Sequence, residues 1–171
     1  VGVRAQLLVG PSQNVSEVGA RADGREDELR RGPGDSPELR VLPGLYWHRI
    51  TPESQASFFA DTWTVAPEAD RMGYRLEGPA VRADIDGILS EGICLGAIQL
   101  PADGQPIVLL NDRQTIGGYP KIGCLSALDA GLLAQRGPGS SVSFFLSDVA
   151  EAEGRRMLFN QRLKTGAPGV R

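Results

Sequence analysis

Between Asp112 and Lys121 the chain reads DRQTIGGYPK, which gathers a carboxylate, a guanidinium, an amide, a hydroxyl, a phenol and an ammonium within ten positions. Side chains of these types can hold an anionic or carbonyl-bearing ligand, because Arg113, Lys121 and backbone N–H groups all donate to oxygen. Gly117 and Gly118 would let the backbone take positive φ and approach a ligand closely, and Pro120 would stiffen the exit. Asp112 could orient Arg113 or accept a substrate N–H, Lys121 could bind a carboxylate, and Tyr119 could wall a pocket. The same residues also suit a well-made turn, in which the glycine pair reverses the chain, Asp and Thr bond locally, and the cations stay solvated. Composition alone leaves both readings open.

The elements that must carry this loop are mostly strands. Residues 106–110, PIVLL, run into it, so 105–123 reads as a strong β-hairpin with the polar residues around its tip. ELRVL at 38–42 alternates and puts Leu39 and Val41 on one face, and TWTVA follows as a strand. In MGYRLE, 72–77, Met72, Tyr74 and Leu76 share one side, while Arg75 and Glu77 share the other. ICLGAIQL at 93–100 is too apolar for simple alternation, which implies strands covered on both faces or closed into a barrel. PADGQ at 101–105 is a turn by composition. SVSFFL at 141–146 alternates through Val142, Phe144 and Leu146, and RAQLLV at 4–9 could form a short strand.

Helices are few. Thr51-Pro52-Glu53 offers a cap, a proline in the first helical position and an early acid, predicting a helix over 52–61. Ser126 can cap a second, with Leu128, Leu132 and Leu133 as an apolar stripe alongside Leu125, ended by GPG at 137–139. A charged helix is expected from Asp148 to about Lys164, although Gly154 weakens it. Short strands at regular spacing, with two or three short helices and no parallel βαβ rhythm, indicate a mainly β, barrel-like domain.

Composition limits the chemistry. The chain has 171 residues, 41% of them hydrophobic and 23% charged, which suits one globular domain without disulfide staples. Its net charge of -3 disfavours a phosphate-backbone partner, so nucleic acid is set aside. No apolar run approaches the ~20 residues that span a bilayer, and nothing at the start of the sequence resembles a charged-then-apolar export signal, so no membrane partner and a cytoplasmic location are expected. Cys94 and Cys124 lack CxxC spacing and read as small buried hydrophobes. The single histidine, His48, is best taken as a surface or packing residue. There is no GxxxxGK[ST], GxGxxG, HExxH or GxSxG pattern, and no metal is expected.

Three phrases carry a family resemblance: RVLPG (40–44), DRMGYRLEGP (70–79) and ILSEGICLGAIQLPADGQPIVLLNDRQTIGGYPKIG (88–123). Together they resemble the allophanate hydrolase subunit 2 family, also described as the biotin-dependent carboxyltransferase or 5-oxoprolinase C-subunit family, over roughly Leu39 to Leu146. The resemblance implies a cyclophilin-like β-barrel inside a two-part carboxyltransferase module. Urea amidolyase relatives move a carboxyl group from carboxybiotin to urea, and bacterial 5-oxoprolinase relatives work with two other subunits in ATP-dependent opening of 5-oxoproline. A Kip-inhibitor-like subunit 1 is the implied partner, and a small amide or lactam the implied substrate. Carboxybiotin or ATP would be used by the full complex rather than bound directly by this chain.

On that resemblance Asp112, Lys121 and Arg75 are the candidate catalytic groups. Arg71, Tyr74, Gln99, Arg113, Gln114, Thr115, Gly117, Gly118 and Tyr119 are candidate substrate-binding residues. Arg71, Tyr74 and Arg75 are expected to flank the same cleft as the 112–121 loop, with Gln99 and Gln114 orienting amide or ureido groups. Arginine and backbone amides suit stabilisation of a developing oxyanion, where one donor is worth roughly 3–4 kcal/mol. Without the resemblance, Tyr74 reads equally well as a core aromatic and Arg75 as an exposed barrel-face charge.

The family pattern is DRQTTGGYP, whereas Ile116 here removes one hydroxyl from the loop. That position is then dispensable, or tied to a changed substrate preference. The chain opens on Val1 rather than methionine, and the resemblance implies a long N-terminal half before RVLPG, so the chain is expected to be a fragment or a processed product that lacks most of that half. Residues 1–37 are therefore expected to be a loop or linker-like remnant matching the family poorly, 38–147 the cyclophilin-like domain, and 148–171 a helix and tail. Two other functions stay in view: a non-catalytic module that antagonises a kinase-inhibitor-like partner, as Kip-type relatives were named for, and prolyl isomerisation, which the fold by itself does not confer.

Overall fold

The computed structural model describes residues 36–85 and 88–165; the strand expected at 4–9 and most of the expected N-terminal loop lie outside the described residues. Leu39 and Val41, alternating on β1 (Glu38–Pro43), are fully buried and set the inner face of a barrel. The strands that join them are β2 (Trp63–Val65), β3 (Gly73–Glu77), β5 (Ala97–Gln99), β6 (Ile107–Leu109), β8 (Lys121–Leu125) and β9 (Ser141–Leu146). Around the barrel they run β1–β8–β5–β6–β3–β2–β9, and β9 closes the ring by pairing in parallel with β1. Closure leaves the barrel no free edge. A separate two-stranded ladder of β4 (Glu91–Gly92) and β7 (Ile116–Gly117) completes the strands.

The barrel is filled by one cluster that includes Leu76, Ile98, Val108, Ile122, Val142 and Phe144. Helix α1 (Pro52–Ala60) contributes Phe58, which stacks on Phe144 with ring centroids 4.7 Å apart and meets Trp47 edge-on. Its start is as the sequence dictates: the Thr51 side chain accepts from Ser54 N at 3.3 Å, and Pro52 opens the first turn. Trp63 donates its indole N–H to the Phe58 carbonyl at 3.2 Å, joining helix to barrel. Ser126 caps α2 (Ala127–Leu133) by accepting from Asp129 N. α3 (Val149–Thr165) runs through Gly154 without breaking.

Four expectations are corrected. β6 and β8 do not form a hairpin, because β5 lies between them and pairs with both. The apolar run 93–100 is not one strand: Gly96, at φ 79, turns the chain beside Leu125, and an added Cβ there would lie 2.6 Å from the Leu125 carbonyl oxygen. Only Ala97–Gln99 remain in β5, while Ile93 folds back over Ala97 and Leu109 on the outside of the barrel. Leu146 is exposed at the end of β9, and Cys94 is exposed rather than buried.

Candidate functional site

Adjacent residues on a strand face opposite ways, and that alternation divides the predicted site. Tyr74 packs toward the barrel core, and its hydroxyl lies 3.3 Å from the Ala134 carbonyl oxygen, to which it donates. Arg75, one residue on, points outward. The register continues Arg75 opposite Ile107, Ile107 opposite Gln99, and Gln99 opposite Lys121, so these side chains form one row on the outer face. Three strand spacings, roughly 14 Å, separate its ends. Arg75 is held there by an ion pair with Asp103 of the 101–105 turn. The Gln105 backbone N–H, and then Arg75, keep the Asp103 carboxyl below its usual range.

At the other end of the row, Lys121 Nζ lies 3.5 Å from Glu91 Oε2 and donates to the Gly92 carbonyl at 2.5 Å. Glu91 and Gly92 are β4, which pairs with Gly117 and Ile116 of the loop. Ile93 extends the contact by donating its N–H to Thr115 O at 2.9 Å and accepting from Arg113 Nε at 3.4 Å. The 112–121 loop is thus braced by residues 91–93. Gln99, buried beneath it, donates to the Tyr119 carbonyl at 3.4 Å and supports the loop from below. Gln114 and Thr115 are exposed, and Tyr119 is half exposed.

The role expected of the glycine pair is corrected too. Among the described residues positive φ occurs at Gly96, Gly104 and Gly139, and at neither Gly117 nor Gly118. Gly117 answers a packing demand instead: a Cβ there would sit 2.6 Å from Ile93 Cδ1 and 2.8 Å from Gln99 Nε2. Gly118 is open, with Ser90 Oγ the nearest such neighbour at 3.8 Å.

A cleft of about 510 Å³ opens at one end of the barrel between β3, the residues after β6 and α2, with Asp70, Arg71, Tyr74, Leu95, Asn111 and Gly131 among its walls. Arg71 Nε stands 3.1 Å from Asp112 Oδ2, and the Asp112 N–H donates to the Arg71 carbonyl at 3.0 Å, so the loop's acid reaches the cleft rim. Asp112 therefore pairs with Arg71, not with Arg113, which is committed to the Ile93 and Leu110 carbonyls. Asp70 Oδ1 accepts from the N–H groups of Met72 and Gly73 at 2.8 and 3.1 Å, shaping the turn that presents Arg71. A guanidinium, the Asn111 amide and apolar walls suit a small polar ligand bearing a carbonyl or carboxylate.

Arg71 and Tyr74 thus line the cleft and Asp112 reaches it only through its ion pair with Arg71, whereas Arg75, Gln99 and Lys121 lie on the outer row and do not line it. One common cleft does not form among the described residues. Asn111, Asp70 and the α2 wall escaped the sequence reading. A signal for the wall existed: Ala127, Ala130, Gly131 and Ala134 recur at helical spacing and leave one face of α2 small.

The profile of the family described as carboxyltransferase domain, subdomain A and B, matches residues 4–146. The chain belongs to the carboxyltransferase domain family. The match reaches into the first 37 residues, beyond the part that the sequence phrases covered. The 5-oxoprolinase C-subunit of Escherichia coli is 41% identical over 115 residues, which are 67% of this chain and 37% of that protein. The urea amidolyase of Lachancea kluyveri is 29% identical over 125 residues, covering 66% of this chain and 6% of that protein. The fold matches the Kluyveromyces lactis urea carboxylase structure with a TM-score of 0.72 at 20% identity, over 77% of this chain and 13% of that one. This carboxyltransferase-domain chain therefore spans little more than a third of the 5-oxoprolinase protein that it resembles. No described helix is long and apolar enough to cross a membrane.

Proposed function

We propose that the chain is the C-terminal part of a carboxyltransferase-family subunit that acts, with partner subunits, on a small lactam of the 5-oxoproline class. The observation that carries this reading is the 41% identity to a 5-oxoprolinase C-subunit, against 29% to a urea amidolyase. The cleft supports it in kind: apolar walls suit a small ring, and Arg71 suits its carboxylate. The partner in this reading is the Kip-inhibitor-like subunit 1, and ATP or carboxybiotin is used elsewhere in the full complex.

Arg71, Arg75 and Lys121 are each already paired within the chain. Asp112 holds Arg71 at the rim, Arg71 binds substrate, and Lys121 braces the loop. Completion of the site then falls to the parts of the protein that this chain does not span. The test is lactam opening by the full-length protein with its companion subunits. Arg71→Ala is expected to lower kcat/KM by roughly tenfold to a hundredfold, the value of a charged hydrogen bond. Unchanged turnover of 5-oxoproline, or turnover of urea in its place, would overturn the assignment.

The regulatory reading has one observation behind it: Leu89, just before β4, and Ile116, in the braced loop itself, stand exposed, as a docking surface would require. Tight binding of subunit 1 with no turnover by the reconstituted set would favour that role.

A further inference from the structure

Cys94 and Cys124 come from different segments, yet their sulfurs lie 3.5 Å apart. Cys94 is exposed on the turn between β4 and β5, and Cys124 is half-buried in β8, directly opposite Ala97. We propose that these residues form a peroxide-sensitive dithiol that closes to a disulfide when a hydroperoxide is the oxidant. Nothing in the carboxyltransferase reading uses either sulfur, so the proposal stands independently of it.

The division of labour follows from the surroundings. Cys124 Sγ is directed at the Leu95 and Leu125 carbonyls, at 3.4 and 3.2 Å, as a thiol donor would be. Burial, and then the neighbouring Cys94 sulfur, push the Cys124 thiol up to about 12, against smaller opposing pulls from Lys121 and Arg113. A thiol held protonated is a poor first nucleophile, so the exposed Cys94 meets the oxidant. Cys94 gives up its proton and its sulfur attacks one peroxide oxygen; the O–O bond breaks, an S–O bond forms, and the departing oxygen takes up that proton and leaves as alcohol or water, so that a sulfenic acid remains. The Cys124 sulfur then attacks the Cys94 sulfur; the S–S bond forms as the S–O bond breaks, and the thiol proton leaves with that oxygen as water. Two thiols are oxidised and one hydroperoxide is reduced. Lys121 and Arg113 favour the second step, because both stabilise negative charge developing on Cys124.

The consequence reaches the loop. Residues 91–93 brace it through Lys121 to the Gly92 carbonyl and Arg113 to the Ile93 carbonyl. A bond from Cys94 to Cys124 fastens that brace to the barrel wall.

Trypsin places the two cysteines in separate peptides, 83–113 and 122–136. After brief exposure of the purified chain to hydrogen peroxide or an alkyl hydroperoxide, these peptides are expected to run joined. Both free thiols should vanish together, no disulfide-linked dimer should form, and a dithiol reductant should restore the chain. In Cys124→Ser, Cys94 should instead accumulate as a sulfenic acid trapped by dimedone. Oxidised Cys94 beside a still-free Cys124 in the unaltered chain, or linkage only between chains, would overturn the proposal. The decisive measurement is made on the unaltered chain, so misfolding of a variant cannot obscure it.

Discussion

Gly96 and Gly117 both shape the loop's setting, but for different physical reasons and with different tolerance. Gly96 sits at φ 79 and crowds the Leu125 backbone, where an added methyl would meet a carbonyl oxygen at 2.6 Å. Neither the conformation nor that neighbour yields easily. Gly117 has no positive φ, and the atoms that a methyl would meet are the ends of the Ile93 and Gln99 side chains, which can move aside. Gly96→Ala is therefore expected to cost about 2–3 kcal/mol and Gly117→Ala about 1 kcal/mol in urea denaturation. Equal costs would contradict this distinction. Gly117→Ala should nonetheless displace Gln99 from the Tyr119 carbonyl, and so loosen the loop that Gln99 supports.

Among the elements, α3 is fastened chiefly by charge. No residue of it is buried, yet Arg155 Nη1 reaches the fully buried Asp129 carboxylate at 3.1 and 2.9 Å. Glu151 accepts from the buried Arg40 at 3.2 Å, and Arg40 Nη1 lies 3.8 Å from Asp129. The result links β1, α2 and α3 through an acid that also takes the Ser126 hydroxyl at 2.5 Å. Removing one partner from such a network leaves buried charge uncompensated. Asp129→Ala is therefore expected to destabilise by about 3–5 kcal/mol. Amide exchange in α3 should accelerate before the barrel strands are affected, which hydrogen-exchange mass spectrometry would show. Uniform acceleration across barrel and helix would argue that α3 and the barrel open as one unit.

For the molecule as a whole, stability rests on the aromatic cluster inside the closed ring. Phe58 touches Trp47, Phe59, Trp63 and Phe144, with centroids 4.7 to 5.6 Å apart. These contacts link α1 to β2 and β9, beside the parallel β1–β9 seam that closes the barrel. Phe58→Ala is expected to cost about 3–5 kcal/mol, read as a lower midpoint of a single cooperative transition. A second, earlier transition would show that α1 unfolds apart from the barrel.

Local chemistry was enough to place much of this chain. Thr51-Pro52 and Ser126 start their helices where the sequence says, since capping needs only residues a few positions apart. Alternation assigned Leu39, Val41, Val142 and Phe144 to the interior correctly. The long motifs pointed to the family that the profile match shows. What the sequence did not reveal was every feature that depends on which strand lies beside which. An apolar run before the loop resembles a hairpin arm, but β5 intervenes between β6 and β8 because the closed ring pairs strands distant along the chain. That order places Gln99 under Gly117 and brings the Cys94 sulfur to Cys124. It also sends Arg75 to Asp103 while Asp112 meets Arg71. Side-chain alternation is a property of single strands; convergence of side chains on a cleft belongs to the barrel's closure and register, which no local pattern encodes.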